Sequence, residues 1–401
     1  MARDNIFAGL EIGTSKVCVV VAESRHDGTV KVLGVGTVPS RGVRKGEIVD
    51  FETAKRCVQD AIVDAEDKSD LDISEVYLGI TGGHIRSFNN RGVVQLEDDR
   101  EEIDEQDLDN VRRNACDVRL PEENAILHTI IQRYYVDGQD GVLNPVGLFG
   151  KRLEADYHIV HGIGNRIRNA IRCVKELNLE TVDVVINSFA TAQAILEKNQ
   201  RQLGAIVIDI GGGTTDFVVY VGGAVRQSGV LGVGGDHITN DISIGLKIPI
   251  ARAERLKVEE GSVTLGIAHP GETIVLKDEA GFAGREVERE LLNQIIYARV
   301  REILEIVRRQ IDSDQNLDLV GAGVFITGGC SQIRGLESLA KEVFGMPVRI
   351  AHALPIAGVT AAFENPQFST ALGLVRYAQL MHLDRPAPRG FLGRLKRFFF
   401  G

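Results

Sequence analysis

One local pattern occurs twice in this chain and limits what it can fold into. Residues 7–21 read FAGLEIGTSKVCVVV and residues 205–221 read AIVIDIGGGTTDFVVYV. Each is an apolar run with an acid near its end, a turn of Gly, Thr or Ser, and a second apolar run. That is the pattern of a β-hairpin. A hairpin used once in each half predicts a duplicated α/β domain with a ligand cleft between the halves. The turns also carry chemistry. Backbone N–H groups and hydroxyls aimed at one spot make an anion nest. Glycine lets a phosphate approach where a Cβ would hold it away. Two such turns face to face can clamp the β- and γ-phosphates of a nucleotide. The first turn is Gly13, Thr14, Ser15 and Lys16, with Lys16 a point charge. The second is Gly211, Gly212, Gly213, Thr214 and Thr215. Glu11 and Asp209 stand at matching positions before them. Carboxylates beside a triphosphate are repelled unless a divalent cation lies between, so this pair predicts Mg²⁺. One GTSK turn alone would be an ordinary hairpin turn; its recurrence with the acid is what argues for phosphate. There is no GxxxxGK[ST] sequence, and no GxGxxG opens a βαβ unit.

Two further pieces suit a nucleoside. Residues 323–329, GVFITGG, read as a buried strand running into a turn at Gly328, Gly329 and Ser331. A Gly-Gly step there lets the backbone lie flat against a base or ribose. In AERLK, Glu254 and Lys257 are three apart and share a helix face. They can meet a ribose and an adenine edge, or form a plain surface salt bridge.

Composition bounds the rest. With 44% hydrophobic and 25% charged residues, the chain can build a sizeable core and two or three domains. Its net charge of -10 argues against broad nucleic-acid binding, so no nucleic-acid partner is expected. Cys18, Cys57, Cys116, Cys173 and Cys330 are scattered, which favours neither a disulfide framework nor a metal cluster and points to a reducing cytoplasm. The first ten residues do not read as a signal peptide, and no apolar run is long enough to span a bilayer. Any membrane attachment is therefore expected to be peripheral.

Residues 86–160 differ in character and read as an inserted α+β subdomain. Its acidic run, residues 97–109, is read as a helix start and solvated face. Asp104 is the N-cap, Asp107 the N3 acid, and Ile103 with Leu108 a hydrophobic staple. Strands are expected at 126–136 and 152–160. Within the second strand His158 and His161 are three apart and point to opposite faces, against a shared metal site. Residues 244–314 read as helices around a β-rich stretch at 263–276, with helical spacing over 286–311. Arg299, Arg301, Arg308 and Arg309 on that helix either attract an acidic peptide or form a solvated face.

Taken together, LEIGTSK, IDIGGGTTD, AERLK, FITGGCS and IAGVTAAF resemble, in order and spacing, the nucleotide signature of the superfamily of actin, heat-shock chaperones and sugar kinases. Within it, VDGQDGVLNPVGLFGKRLEADYHIV, NPQFSTALGL and EVFGMPVRI resemble segments of the bacterial FtsA family, and the likeness runs from Ile6 to Gly401. The resemblance implies a two-lobed actin-like ATPase fold of class α/β, with duplicated RNase H-like domains, an inserted α+β subdomain (1C) and a C-terminal amphipathic helix. It divides the chain into 1A (1–83, 163–200 and 356–383), 1C (84–162), 2A (201–240 and 315–355), 2B (241–314), a linker (384–389) and a membrane-targeting helix (390–401). It implies ATP and Mg²⁺ in the cleft, actin-like filaments of the chain with itself, binding of the C-terminal tail of the tubulin-like protein FtsZ, and recruitment of later division proteins. The residues carried over are those of the two turns, Asp209 at the metal, Glu254 and Lys257 on the adenosine side, and Gly328, Gly329 and Ser331 in the adenosine loop. Glu11 stands where Asp is commoner. Superfamily ATPases often carry a water-orienting Glu or Gln, and the matching stretch here, NSFATAQAI, places Ser188 or a neighbour there. That departure implies nucleotide binding with at most slow hydrolysis.

The chain closes with GFLGRLKRFFFG. On a helix, Phe391, Leu392, Leu395, Phe398 and Phe399 fall within an arc of about 120°, with Arg394, Lys396 and Arg397 opposite. Such a helix is too short to span a bilayer but can lie in an anionic membrane surface. The location expected is the division septum, on the cytoplasmic side of the inner membrane. A sugar-type kinase predicts sugar-binding groups in the cleft and no such tail. A filament protein of the MreB type lacks the VDGQDG…RLE insert, and a chaperone would need a substrate domain for which the 26 residues after Val375 leave no room.

Overall fold

The structure is a computed structural model that describes residues 5–25, 29–96, 102–266, 269, 271–276, 284–313, 316–358 and 363–383. The linker at 384–389, the tail at 390–401, with Phe391 to Phe399, and residues 97–101 of the acidic run lie outside the described residues.

The first lobe starts with three antiparallel strands, β1 (Ile6–Ile12), β2 (Lys16–Ser24) and β3 (Val30–Pro39). A two-strand hairpin follows, β4 (Val43–Arg44) with β5 (Glu47–Ile48), then helix α1 (Phe51–Ser69) and strand β6 (Glu75–Ile80). Helix α1 is capped by Asp50, whose side chain accepts from the Thr53 N–H. Ala54, Cys57, Val58, Ala61, Ile62 and Ala65 fall on its buried face at helical spacing. That face sits directly on β3, because Gly36 carries no Cβ to collide with the Ala61 carbonyl.

The inserted subdomain comes next: β7 (Arg86–Gln95), α2 (Glu105–Cys116), β8 (Asn124–Val136), β9 (Gln139–Val142) and β10 (Arg152–Ile163), with sheet order β7-β10-β8-β9. Helix α2 begins where the sequence places it. Asp104 accepts from the N–H groups of Gln106 and Asp107, and Asp107 returns the bond to the Asp104 N–H at 3.0 Å. Ile103 is buried beneath it in a small core with Val111, Leu153 and Ile159.

The chain returns through α3 (Gly164–Lys175), β11 (Glu180–Ile186), α4 (Asn187–Ile195) and α5 (Lys198–Leu203). The second lobe follows: β12 (Ala205–Ile210), β13 (Thr215–Val221), β14 (Ala224–Leu231), α6 (Gly235–Leu246), α7 (Ile250–Glu260), β15 (Thr273–Leu276), β16 (Arg285–Glu288), α8 (Arg289–Asp312), β17 (Gly323–Thr327), α9 (Leu336–Phe344) and β18 (Val348–Ile350). Helix α10 (Ser369–Leu383) goes back to the first lobe. The β-rich stretch expected over 263–276 contains, among its described residues, one strand, β15. The expected helix over 286–311 starts three residues later, because Arg285–Glu288 pairs with β15 instead.

The two large sheets repeat one topology. Their orders are β11-β6-β1-β2-β3 and β14-β13-β12-β17-β18, each an antiparallel meander extended by two parallel strands. Parallel neighbours need crossover connections, which the helices supply. Helix α4 lies between the sheets, with all of its residues but Gln193 buried. Its small residues permit that position: Gly373 of α10 meets the Ala190 carbonyl so closely that no Cβ fits. Among the described residues no helix is long and apolar enough to cross a membrane.

Candidate nucleotide-binding cleft

The two hairpins are superimposable in pattern. Ile12 pairs with Val17 and Ile210 with Thr215, leaving four residues in each turn. The Gly13 N–H donates to the Lys16 carbonyl, and the Gly211 N–H to the Thr214 carbonyl, both at 2.9 Å. The turns face each other across the cleft. A Cβ on Gly213 would collide with Thr14 Oγ1, and one on Gly212 would lie 3.1 Å from Ser15 Cβ. Glycine at 212 and 213 is thus what allows the two turns to close on one space. The second turn is braced by the start of α6. The N–H groups of Gly235 and Asp236 donate to the carbonyls of Gly211 and Gly212 at 2.9 and 2.8 Å.

The acids are buried beneath the turns. Glu11 accepts from Lys16 Nζ at 2.9 Å. Burial raises the Glu11 pKa against the pull of Lys16; burial alone would lower that of Lys16, but Glu11 reverses the direction. The lysine is therefore committed first to Glu11, with its ammonium 5.5 Å from the Phe368 ring centre. Asp209 accepts from Thr191 Oγ1 and Thr370 Oγ1, each at 2.9 Å, so α4 and α10 both hold the second lobe's acid. Burial still raises its pKa.

Asp216 was not singled out as a site residue in the sequence. It pairs with Asp209 across the β12–β13 hairpin. Its two oxygens accept from Thr81 Oγ1 at 2.6 Å and Thr214 Oγ1 at 2.9 Å. Burial first, then the nearby Asp209 and Glu11, push it up to about 7. The signal was present: an acid inside the otherwise apolar run DFVVYV, one strand position past the turn. Burial raises all three acids, and a divalent cation beside them would offset their desolvation. Among the described residues no group of three His, Cys, Asp or Glu side chains is placed to hold a metal ion by itself. Most of a cation's shell would be phosphate oxygens and water.

On the other side, Gly328 has φ +87°, and a Cβ there would collide with Asp209 Oδ1 and lie 2.6 Å from the Ile210 carbonyl. Ser331 Oγ donates to the Gly328 carbonyl at 2.7 Å, so it fixes the turn from behind. Gly329 stands in the open, with nothing nearer to its Cβ position than Gln367 Cβ at 3.9 Å. Glu254 and Lys257 do pair, at 2.6 Å, but not as a surface bridge. Lys257 is buried and also donates to Thr239 Oγ1 at 2.8 Å and the Gly235 carbonyl at 3.2 Å. It supports the start of α6, while Glu254 remains half exposed and bonded to Thr239.

Elsewhere, His158 and His161 have separate partners. His158 binds Asn89 Oδ1 and Ser228 Oγ, both at 2.8 Å, and His161 Nδ1 meets Asn124 Nδ2 at 3.0 Å. On α8, Arg299 bonds Asp241 and Glu302, Arg301 bonds Glu305, Glu342 and Tyr297, and Arg308 donates to the Val343 carbonyl. Arg309 Nε donates to the Glu305 carbonyl at 3.3 Å, so all four arginines are tied within the chain.

A family model described as cell division protein FtsA matches residues 206–373, and one described as the SHS2 domain inserted in FtsA matches residues 82–161. The cell division protein FtsA of Pseudomonas aeruginosa is 37% identical over 93% of this chain and 89% of its own length. That of Escherichia coli K12 is 37% identical over 95% and 92%. That of Neisseria meningitidis is 34% identical over 97% and 96%. In structure, the chain resembles one from a PilM-PilN type IV pilus biogenesis complex, with TM-score 0.65, 16% identity and 94% and 99% coverage. It also resembles MreB5 of Spiroplasma citri bound to ADP, with TM-score 0.57, 16% identity and 94% and 97% coverage. The repeated sheet topology is that of the actin-like fold, and with the inserted domain matched in place, this chain belongs to the FtsA family of cell division proteins.

Proposed function

We propose that the chain binds ATP with Mg²⁺ between its two lobes, polymerises, and tethers FtsZ filaments to the inner face of the cytoplasmic membrane, where it recruits later division proteins. The paired turns carry the nucleotide part of this reading: two turns, one per lobe, close on a single space, with the acids Glu11, Asp209 and Asp216 buried beneath them. MreB5 of Spiroplasma citri, which shares the fold, is bound to ADP in one structure and to AMPPNP in another, which lends the same support. The residues proposed to hold the nucleotide are Gly13 to Lys16, Gly211 to Thr215, Glu254, Lys257, Gly328, Gly329 and Ser331, with Asp209 and Glu11 toward the cation.

Bound triphosphate would supply a phosphoanhydride and negative charge shared between the lobes. The chain's own groups then divide the work. The turn N–H groups bind and orient, Lys16 keeps Glu11 neutralised, and Thr191 and Thr370 fix Asp209. The first turn of α4 contains no acid, and Ser188 there is buried. This supports slow hydrolysis, with the nucleotide acting as an assembly switch. The subdomain division given by the resemblance, with 2B as the FtsZ-tail site and residues 390–401 as the membrane helix, belongs to the same proposal. Weak single tails would gain avidity when polymerisation multiplies them.

The test is co-sedimentation with anionic liposomes, with and without Mg-ATP, using the full chain and one truncated after Asp384. Nucleotide-enhanced pelleting of the full chain alone is expected. Equal pelleting of both, or of neither, would remove the anchor role.

A further inference from the structure

The β4–β5 hairpin turns on two residues, Lys45 and Gly46, with φ of +52° and +76°. Positive φ at both central positions is the turn that suits a tight hairpin, and its first position favours Asn, Asp or Gly. A lysine there departs from local preference, and such departures concentrate where a side chain has a task.

The turn sits at the cleft. The Gly46 N–H donates to Thr14 Oγ1 at 2.9 Å, which fastens the hairpin to the first phosphate turn. The Lys45 amide nitrogen is 2.9 Å from where a Cβ on Gly213 would stand, and Lys45 Cδ is 3.6 Å from the corresponding point on Gly232. The side chain therefore reaches from the first lobe over the second. Its ammonium has no hydrogen bond or ion pair among the described residues. The nearby acid on its own hairpin, Glu47, is taken by Arg166 at 2.6 and 2.7 Å. Across the cleft, the His237 pKa is lowered by burial first and by the Lys45 charge next.

The second turn also has a direction. Its Gly211 end touches the nucleoside-side groups: Cys330 Sγ donates to the Gly211 carbonyl at 3.5 Å, and Lys257 Nζ lies 3.3 Å from the Cβ position of Gly235. Its Gly213 end touches Thr14 and Lys45. A phosphate chain laid along this turn from the nucleoside side ends beside Lys45.

We infer that Lys45 is a cation for the terminal phosphate of a nucleoside triphosphate, reaching across from the first lobe and so distinguishing triphosphate from diphosphate. This rests on the proposed nucleotide cleft. A diphosphate stops short of Lys45; a triphosphate brings its most highly charged group to it and draws the lobes together.

The experiment compares Mg-ATP and Mg-ADP affinity by equilibrium dialysis for the full chain, Lys45→Asn and Lys45→Arg. Asparagine tolerates the left-handed conformation, so the melting temperature should stay the same. The expected result for Lys45→Asn is roughly a 5- to 20-fold loss of ATP affinity, with ADP changed by less than about 2-fold and ATP affinity largely kept in Lys45→Arg. Equal losses for both nucleotides, or no loss for either, would overturn the role of Lys45 while leaving the cleft intact. Failure of the unaltered chain to bind either nucleotide would sink both readings.

Discussion

Thr81 Oγ1 donates to Asp216 Oδ1 at 2.6 Å, joining the loop after β6 in the first lobe to β13 in the second. The bond is buried, and it lies directly beneath the turn that ends in Thr214, which bonds the other oxygen. It makes the protonation of one carboxyl a property of how the lobes meet.

That carboxyl should give stability an unusual pH slope. Asp216 is pushed up from 3.8 to about 7. Between these values the unfolded chain has lost the proton and the folded one keeps it, so stability falls as pH rises from 4 to 7 and then levels. Asp216→Asn mimics the protonated form. It should stabilise at both pH 5 and pH 8, by on the order of 2–3 kcal/mol more at pH 8. Melting curves at the two pH values check this; equal shifts at both would show that the carboxyl is already ionised at pH 5.

His158 should act in the opposite sense. Burial lowers it to about 3, so it stays neutral while the unfolded imidazole protonates near 6.5. Stability contributed by this site is full above 6.5 and is lost as pH falls toward 3. His158→Ala removes the partner of Asn89 and Ser228 and should cost about 2–3 kcal/mol at neutral pH. It should also flatten the acid limb of the urea-midpoint profile. A cost without any change in that limb would assign the pH dependence to another group, such as His128, which burial lowers to about 4.

Gly328 and Gly329 should behave differently although they are neighbours. Gly328→Ala forces a Cβ against Asp209 at a left-handed φ, and should destabilise by on the order of 2–3 kcal/mol. Gly329→Ala has room and should melt like the parent. If the backbone at 329 lies against the nucleoside, Gly329→Ala will weaken nucleotide binding by roughly 10-fold with its fold intact. Unchanged binding would move the nucleoside away from this turn.

Asp104→Ala tests the insert alone. Losing one half of the capping box should cost about 1 kcal/mol. Hydrogen exchange should show the cost in α2 and spare the two lobes, because the insert has its own core around Ile103, Val111 and Leu153. Destabilisation spread evenly over the protein would mean that the insert and the lobes unfold as one unit.

Short-range features were legible without coordinates. The two hairpins, their acids and the start of α2 depend on residues a few positions apart, where turn chemistry and capping act. Longer-range partners were not. Lys257 looked like one half of a surface pair with Glu254, yet α6 covers it and uses it as a strut. The α8 arginines read equally as a site for an acidic peptide or as a solvated face; the fold shows that Arg299 and Arg301 meet acids supplied by α6 and α9 as well as their own helix. Asp216 was visible as an acid in an apolar strand run, but its partner was not, because Thr81 lies in another lobe.

The sequence by itself determined the duplication, the turn chemistry, the insert and the family, because each is written in local pattern or in likeness along the chain. Only the tertiary structure decided which polar groups are neutralised and which remain free. Lys16 is committed to Glu11, and Glu47 to Arg166, while Lys45 is left over the second turn. Those outcomes depend on burial and on which charges the fold brings within a few ångströms, and such distances are set by packing between segments far apart in the chain.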